Sequence, residues 1–197
     1  MEIILATHNL DKCKELQESL SDSKIKILTL SDFPEIREIV EDGNTLEENA
    51  FIKSRTVFNL TKIPTISDDT GLEVDALKGA PGIYSARYAG PNASYNDNVS
   101  KMLKELKDID QKYRTATFKT VVTFVSKDLE LVSEGSVKGF ITKKPYGNSG
   151  FGYDPIFYVL EKNKTFSEMN INEKKQCSHR GKAIANLKQL FKENNIL

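Results

Sequence analysis

Apolar and polar residues along the chain switch repeatedly between a two-residue and a 3.6-residue period, which outlines strands and helices in alternation. Residues 2–6 form a short apolar run closed by Thr7-His8-Asn9. A helical pattern follows, with Leu10, Cys13, Leu16 and Leu20 on one face. Residues 25–30 read as a second strand. Thr45-x-x-Glu48 has the form of a capping box and opens a helix with apolar positions at Leu46, Ala50, Val57 and Phe58. Residues 64–67 and 72–74 read as short strands on either side of a turn at Asp68-Asp69-Thr70-Gly71. The glycine- and proline-rich stretches 78–82 and 89–91 read as loop. Ser94-x-x-Asp97 caps a helix carrying Val99, Met102, Leu103 and Leu106. Residues 115–126 and 129–142, joined by Lys127-Asp128, predict a long antiparallel hairpin. A glycine-rich loop at 145–152 leads to a strand near 156–160, and a last helix opens at Ser178 with Ala183, Leu187, Leu190 and Phe191 inward. The pattern predicts an α/β fold built on a mixed, elongated, twisted sheet with flanking helices. Residues 1–197 are expected to form a single two-lobed domain around a central substrate cleft.

Composition narrows the partners. The chain has 197 residues, 39% of them hydrophobic, enough for a core. Its 28 Lys+Arg balance 28 Asp+Glu. That balance argues against a general nucleic-acid binder, which draws affinity from a basic excess. The longest apolar runs fall far short of the roughly 20 residues that span a bilayer, so no membrane partner is expected. The first residues carry no basic stretch of the signal-peptide kind, and the cytoplasm is the expected compartment. Cys13 and Cys177 cannot build a disulfide framework. With His8 and His179 they also lack the paired spacing of a zinc site.

Four segments carry candidate chemistry. Thr7, His8, Asn9, Leu10, Asp11 and Lys12 lie where a strand turns into a helix, a place where backbone amides gather an anion. Asp68 and Asp69 are adjacent carboxylates of which one is expected to face substrate, and Glu41-Asp42 is a second acidic patch that could meet them. Carboxylates together with substrate phosphates are the usual holders of Mg²⁺. Gly150-Phe151-Gly152 lets an aromatic ring sit close to backbone, as a base-stacking platform needs. His179 and Arg180 are cations at a helix start, where the macrodipole opposes them and a ligand would compensate. Each segment alone also reads as ordinary capping, turn or core chemistry.

Together they are specific. The chain resembles the inosine/xanthosine triphosphate pyrophosphatase family from end to end. The matching segments are Ala6-Thr-x-Asn-x-x-Lys12, Glu41-x-Gly43 with Glu48-Asn-Ala50-x-x-Lys53, Asp68-Asp-Thr-Gly-Leu72, Gly79-Ala-Pro-Gly82 with Tyr84-Ser-Ala-Arg-Tyr88, Gly150-Phe-Gly-Tyr-Asp-Pro155 and Ser178-His-Arg-Gly181. The resemblance implies Mg²⁺-dependent hydrolysis of ITP, dITP or XTP to the monophosphate and pyrophosphate, with Mn²⁺ as a substitute metal. It implies that Thr7 to Lys12 bind phosphate, that Asp69 is the general base and a metal ligand with Glu41, and that Lys53 lies near the phosphates. Thr70 would touch substrate. Phe151, Gly152, Tyr153 and Asp154 would form the base pocket, with Lys174, His179 and Arg180 as its polar readers. A homodimer is implied as well. His8 stands where the family frequently has glycine. A pyrophosphatase for a pyrimidine or modified nucleotide, and a nucleotide-binding regulator without turnover, are the alternatives, separated by pyrophosphate release over a panel of triphosphates.

Overall fold

The computed structural model describes residues 1–21 and 25–197. Strands β1 (Glu2–Leu5), β2 (Lys26–Thr29), β3 (Thr65–Val74), β4 (Pro81–Gly82), β5 (Thr115–Val125), β6 (Glu130–Ile141), β7 (Phe157–Val159) and β8 (Lys164–Thr165) alternate with helices α1 (Leu10–Leu20), α2 (Leu46–Thr61), α3 (Tyr95–Glu105), α4 (Ile171–Cys177) and α5 (His179–Glu193). The sheet order is β2-β1-β3-β5-β6-β7-β8, with β4 paired to β3. β1 runs parallel to β2 and β3, with Leu5 opposite Thr29 and Ile66. β6, β7 and β8 run antiparallel in succession. The sheet is therefore mixed, as the sequence pattern predicts.

The chain divides into two compact units. The first comprises residues 1–69, 120–135 and 179–197, and the second residues 70–119 and 136–178. In the first unit the sheet is covered on both faces, which is why β1 is apolar without alternation. Ile3 and Leu5 pack with Leu16 and Leu20 of α1, Val122 and Phe124 of β5, and Leu187 and Phe191 of α5. Ile4 and Ala6 face the other way, onto Leu30, Ile36 and Val57 of α2. Gly135 lets β6 run against the start of α5, since a Cβ there would lie 2.1 Å from the His179 carbonyl oxygen. The second unit gathers Leu72, Val74, Val99, Met102, Phe118, Val137, Ile156, Phe157 and Phe166 into one core. No helix among the described residues is long and apolar enough to cross a membrane.

Four local expectations change. Residues 65–74 form one continuous strand, and Asp68 and Asp69 lie within it rather than in a turn. Leu10 is 75% exposed instead of sharing the buried face of Cys13, Leu16 and Leu20, because at 3.6 residues per turn it points about 90° away from the centre of that face. The Thr45 hydroxyl caps α2 by accepting from the Glu48 amide, but Glu48 answers to the Asn44 amide rather than to Thr45. A short helix, α4, precedes the last one, capped reciprocally by Asn170 and Glu173. Ser178 is its extended C-cap, and α5 begins at His179.

Candidate active site

In the first unit the chemistry centres on β3. Successive strand residues point to opposite faces, so the two neighbouring carboxylates meet different partners. Asp68 Oδ2 accepts from Arg180 Nε at 3.1 Å and Nη2 at 2.9 Å, and lies 3.4 Å from Lys12 Nζ. Arg180 donates in addition to Glu15 of α1. Asp69 Oδ1 lies 3.4 Å from Lys53 Nζ, and the same ammonium donates to Glu41 Oε2 at 2.9 Å. A buried hydroxyl chain fixes α2, which carries Lys53, against this strand. Ser54 Oγ is 2.8 Å from Thr123 Oγ1, Thr123 is 3.1 Å from Ser67 Oγ, and Ser67 donates to the Ala50 carbonyl.

The two aspartates are electrostatically different. Burial pushes Asp68 up, but Lys12, Arg180 and Lys53 outweigh it and hold the carboxyl well below the usual range. Burial also pushes Asp69 up, and there Lys53 and Lys12 do not overcome it, aided as burial is by Glu41 and Asp68. Asp68 is thus a locked anion, and Asp69 the more basic carboxylate. Burial draws the Lys12 ammonium down. Lys53 resists the same effect because Asp69 and Glu41 face it, and ends raised.

At the β1–α1 turn, Asn9 is the N-cap, and its Oδ1 accepts from the amides of Asp11 and Lys12 at 3.0 and 3.1 Å. Thr7 Oγ1 accepts from the Asn9 amide at 3.2 Å. Both side chains shape the turn and leave Lys12 as the residue that reaches Asp68. His8, Leu10 and Asp11 are exposed. His8 is not among the residues of left-handed backbone, so a side chain is tolerated where the family often has glycine. A hollow of about 430 Å³ touches Thr7, His8, Cys13 and Ile36, but is lined by none of Lys12, Lys53, Asp68 and Asp69. The acid–cation cluster is separate from it.

In the second unit, Lys174 of α4 donates to Asp154 Oδ2 at 2.5 Å and sits 4.9 Å from the centroid of the Phe151 ring. Asp154 Oδ2 also accepts from the Phe151 amide at 2.9 Å. Gly150 is left-handed, and a Cβ there would lie 2.1 Å from Asp154 Oδ2, so only glycine lets the loop fold over this carboxylate. Phe151 and Gly152 remain half-buried, as does Thr70. Tyr153 turns into the core and donates to the Ser85 carbonyl at 2.9 Å. His179 and Arg180 open α5 in the first unit, both buried.

The sequence-derived residues thus gather as Lys12, Glu41, Lys53, Asp69 and Arg180 in the first unit, and as Phe151, Gly152, Asp154 and Lys174 in the second. Glu15 was not foreseen. Its spacing of three from Lys12 on α1 puts both on one helical face, but nothing local names its partner.

Glu41 and Asp69 bring two carboxylates to one ammonium, and such a pair suits a hard divalent cation that draws its remaining ligands from water and phosphate. Among the described residues no group of three or more His, Cys, Asp and Glu side chains could hold a metal by itself.

Comparisons with known proteins place the chain in a family. The chain is 44% identical over 188 residues to the dITP/XTP pyrophosphatase of Thermoanaerobacter pseudethanolicus, covering 95% of each. The structure of the Staphylococcus aureus Ham1 protein matches with a TM-score of 0.86 at 40% identity, covering 99% of this chain and 100% of that one. A HAM1 protein from Coxiella burnetii matches with a TM-score of 0.88 at 39% identity, covering 98% and 99%. The family model for the Ham1 family spans residues 3–190, and with sequence and fold in agreement the chain belongs to the Ham1 family.

Proposed function

We propose that the protein hydrolyses non-standard purine nucleoside triphosphates, ITP or dITP and XTP, to the monophosphate and pyrophosphate. The observation that carries this is the division of labour on β3, where Asp68 is locked by Arg180 and Asp69 is left more basic beside Lys53 and Glu41. The 44% identity to a dITP/XTP pyrophosphatase supports the substrate class. In this reading Asp69 takes the proton from the attacking water. Lys12 and Lys53 offer positive charge to phosphate oxygens that would otherwise repel that water, and the turn from Thr7 to Lys12 orients the chain of phosphates. Glu41 and Asp69 would hold Mg²⁺, or Mn²⁺ in its place. That ion, when bound, neutralises phosphate charge and stabilises the leaving pyrophosphate.

Phe151 receives the base by stacking, and Thr70 and Gly152 border the substrate. Lys174, steadied by Asp154, supplies the donor for a purine 6-oxo group. Adenine presents an amine there and leaves the donor unsatisfied, a mismatch worth roughly 10²–10⁵ in kcat/KM. Arg180 reads from sequence as a base donor beside Lys174 and His179, but its guanidinium is engaged by Asp68 and Glu15, so in this reading Lys174 and His179 carry the recognition of the base. A homodimer in the cytoplasm accompanies the proposal.

The test is pyrophosphate release from ITP, XTP, GTP, ATP and dTTP. Strong preference for ITP and XTP over ATP is expected, with activity lost in EDTA and restored by Mg²⁺. Equal turnover of ATP would overturn the donor pocket, and turnover persisting in chelator would overturn the metal assignment.

A further inference from the structure

Tyr95 is the first residue of α3 and is 40% exposed. A ring that open gains little from core packing. Its base is nevertheless rigid. Ser94 and Asp97 close a capping box around the helix start, and Val99 and Met102 of the same helix are buried in the core of the second unit. From that anchor the Tyr95 ring meets Phe151, with centroids 5.7 Å apart and planes tilted by 42°. Phe151 needs such an anchor. It rides on a segment with left-handed glycines at 147, 150 and 152, the most permissive backbone a loop can have. Asp154 ties its backbone, and Lys174 approaches its ring. Tyr95 adds a hold on the ring from a helix.

We propose that Tyr95 is a positioning residue for the substrate's base: it fixes the Phe151 ring in the attitude on which a purine stacks. The inference rests on reading Phe151 as the base platform. A platform ordered before binding spares the ligand the entropy of freezing a glycine-borne side chain, so the gain appears in affinity rather than in the chemical step. The strength of a tilted aromatic pair translates into about a three- to tenfold change in binding.

The experiment is steady-state hydrolysis of ITP by Tyr95→Ala, Tyr95→Phe, Phe151→Ala and the Tyr95→Ala/Phe151→Ala double variant. Tyr95→Ala should raise KM about three- to tenfold with kcat nearly constant. Tyr95→Phe keeps the ring that meets Phe151, so it should raise KM clearly less than Tyr95→Ala. Phe151→Ala should raise KM at least as much as Tyr95→Ala, and the double variant should be no worse than Phe151→Ala alone. A rise for Phe151→Ala without one for Tyr95→Ala overturns the role of Tyr95 and leaves the platform standing. No rise for Phe151→Ala overturns the platform reading, and the inference with it. Multiplicative losses in the double variant overturn positioning, because the two rings then act independently. The thermal midpoint of Tyr95→Ala should stay within about 2 °C of wild type, as for a surface substitution. A large drop in midpoint with a matching loss of kcat would mark a structural role and overturn the proposal.

Discussion

Asp69→Asn is expected to lower kcat by about 10²–10⁴, the range for removing a positioned acid–base group. The substitution preserves size and strand geometry but removes both the basic site and one of the two charges that meet at Lys53. Asp68→Asn predicts a different phenotype. It leaves Arg180 and Lys12 facing one carboxylate fewer inside the unit, so its first effect falls on stability rather than on the proton-transfer step. The check is single-turnover hydrolysis of ITP with Mg²⁺, alongside denaturant unfolding of both variants. Equal kinetic loss from the two substitutions at equal stability would show that β3 does not divide their roles.

Arg180→Ala is expected to cost about 3–5 kcal/mol of folding stability, because it removes the cation that meets both Asp68 and Glu15 and leaves Asp68 the longer 3.4 Å approach of Lys12. Asp68 has no exposed surface, so solvent cannot replace that cation. The pH dependence follows from the lowered Asp68 pKa. Its contribution is fully present above the unfolded carboxylate value of about 4 and is lost as the pH falls from there toward the lower folded value. Urea titrations from pH 7 down to 3 should show that loss in the wild type and a flatter response in Arg180→Ala. A variant as stable as wild type at pH 7 would mean that Asp68 is paired well enough without Arg180.

What could be read from the sequence, and what could not, follows the reach of each interaction. The hairpin of β5 and β6, the capping box at Ser94 and the helical faces at Leu16, Leu187 and Phe191 rest on near neighbours, and periodicity exposes them. The centre of β3 reads as a turn in the sequence because Asp-Asp-Thr-Gly is favourable turn chemistry. What keeps it extended is tertiary, since Lys12, Lys53 and Arg180 come from three different helices. The helix α4 carries a local signal in Asn170-x-x-Glu173, a capping box with Asn in place of the Ser or Thr of the usual form. Lys12, Lys53, Asp69 and Glu41 were legible as a set through family resemblance, but their contacts were not. Glu15 and Tyr95 were invisible because each acquires meaning only from a partner distant in the chain.

The pairing of Asp68 with Arg180 spans 112 positions, and this has a consequence for biosynthesis. At about 5–20 residues per second, a ribosome needs roughly 6–22 s after making Asp68 before it makes Arg180. For that interval β3 has Lys12 and Lys53 but not Arg180 to face Asp68, and Ile3, Leu5 and Ile66 lack the α5 residues that cover them. The nascent first unit therefore stays open, with an apolar sheet face and a carboxylate short of one of its cations, until the last helix arrives. Translation pauses within residues 136–178, or scarcity of chaperones that shield apolar surface, should lower the yield of folded enzyme more than the same stress applied after α5 has been made.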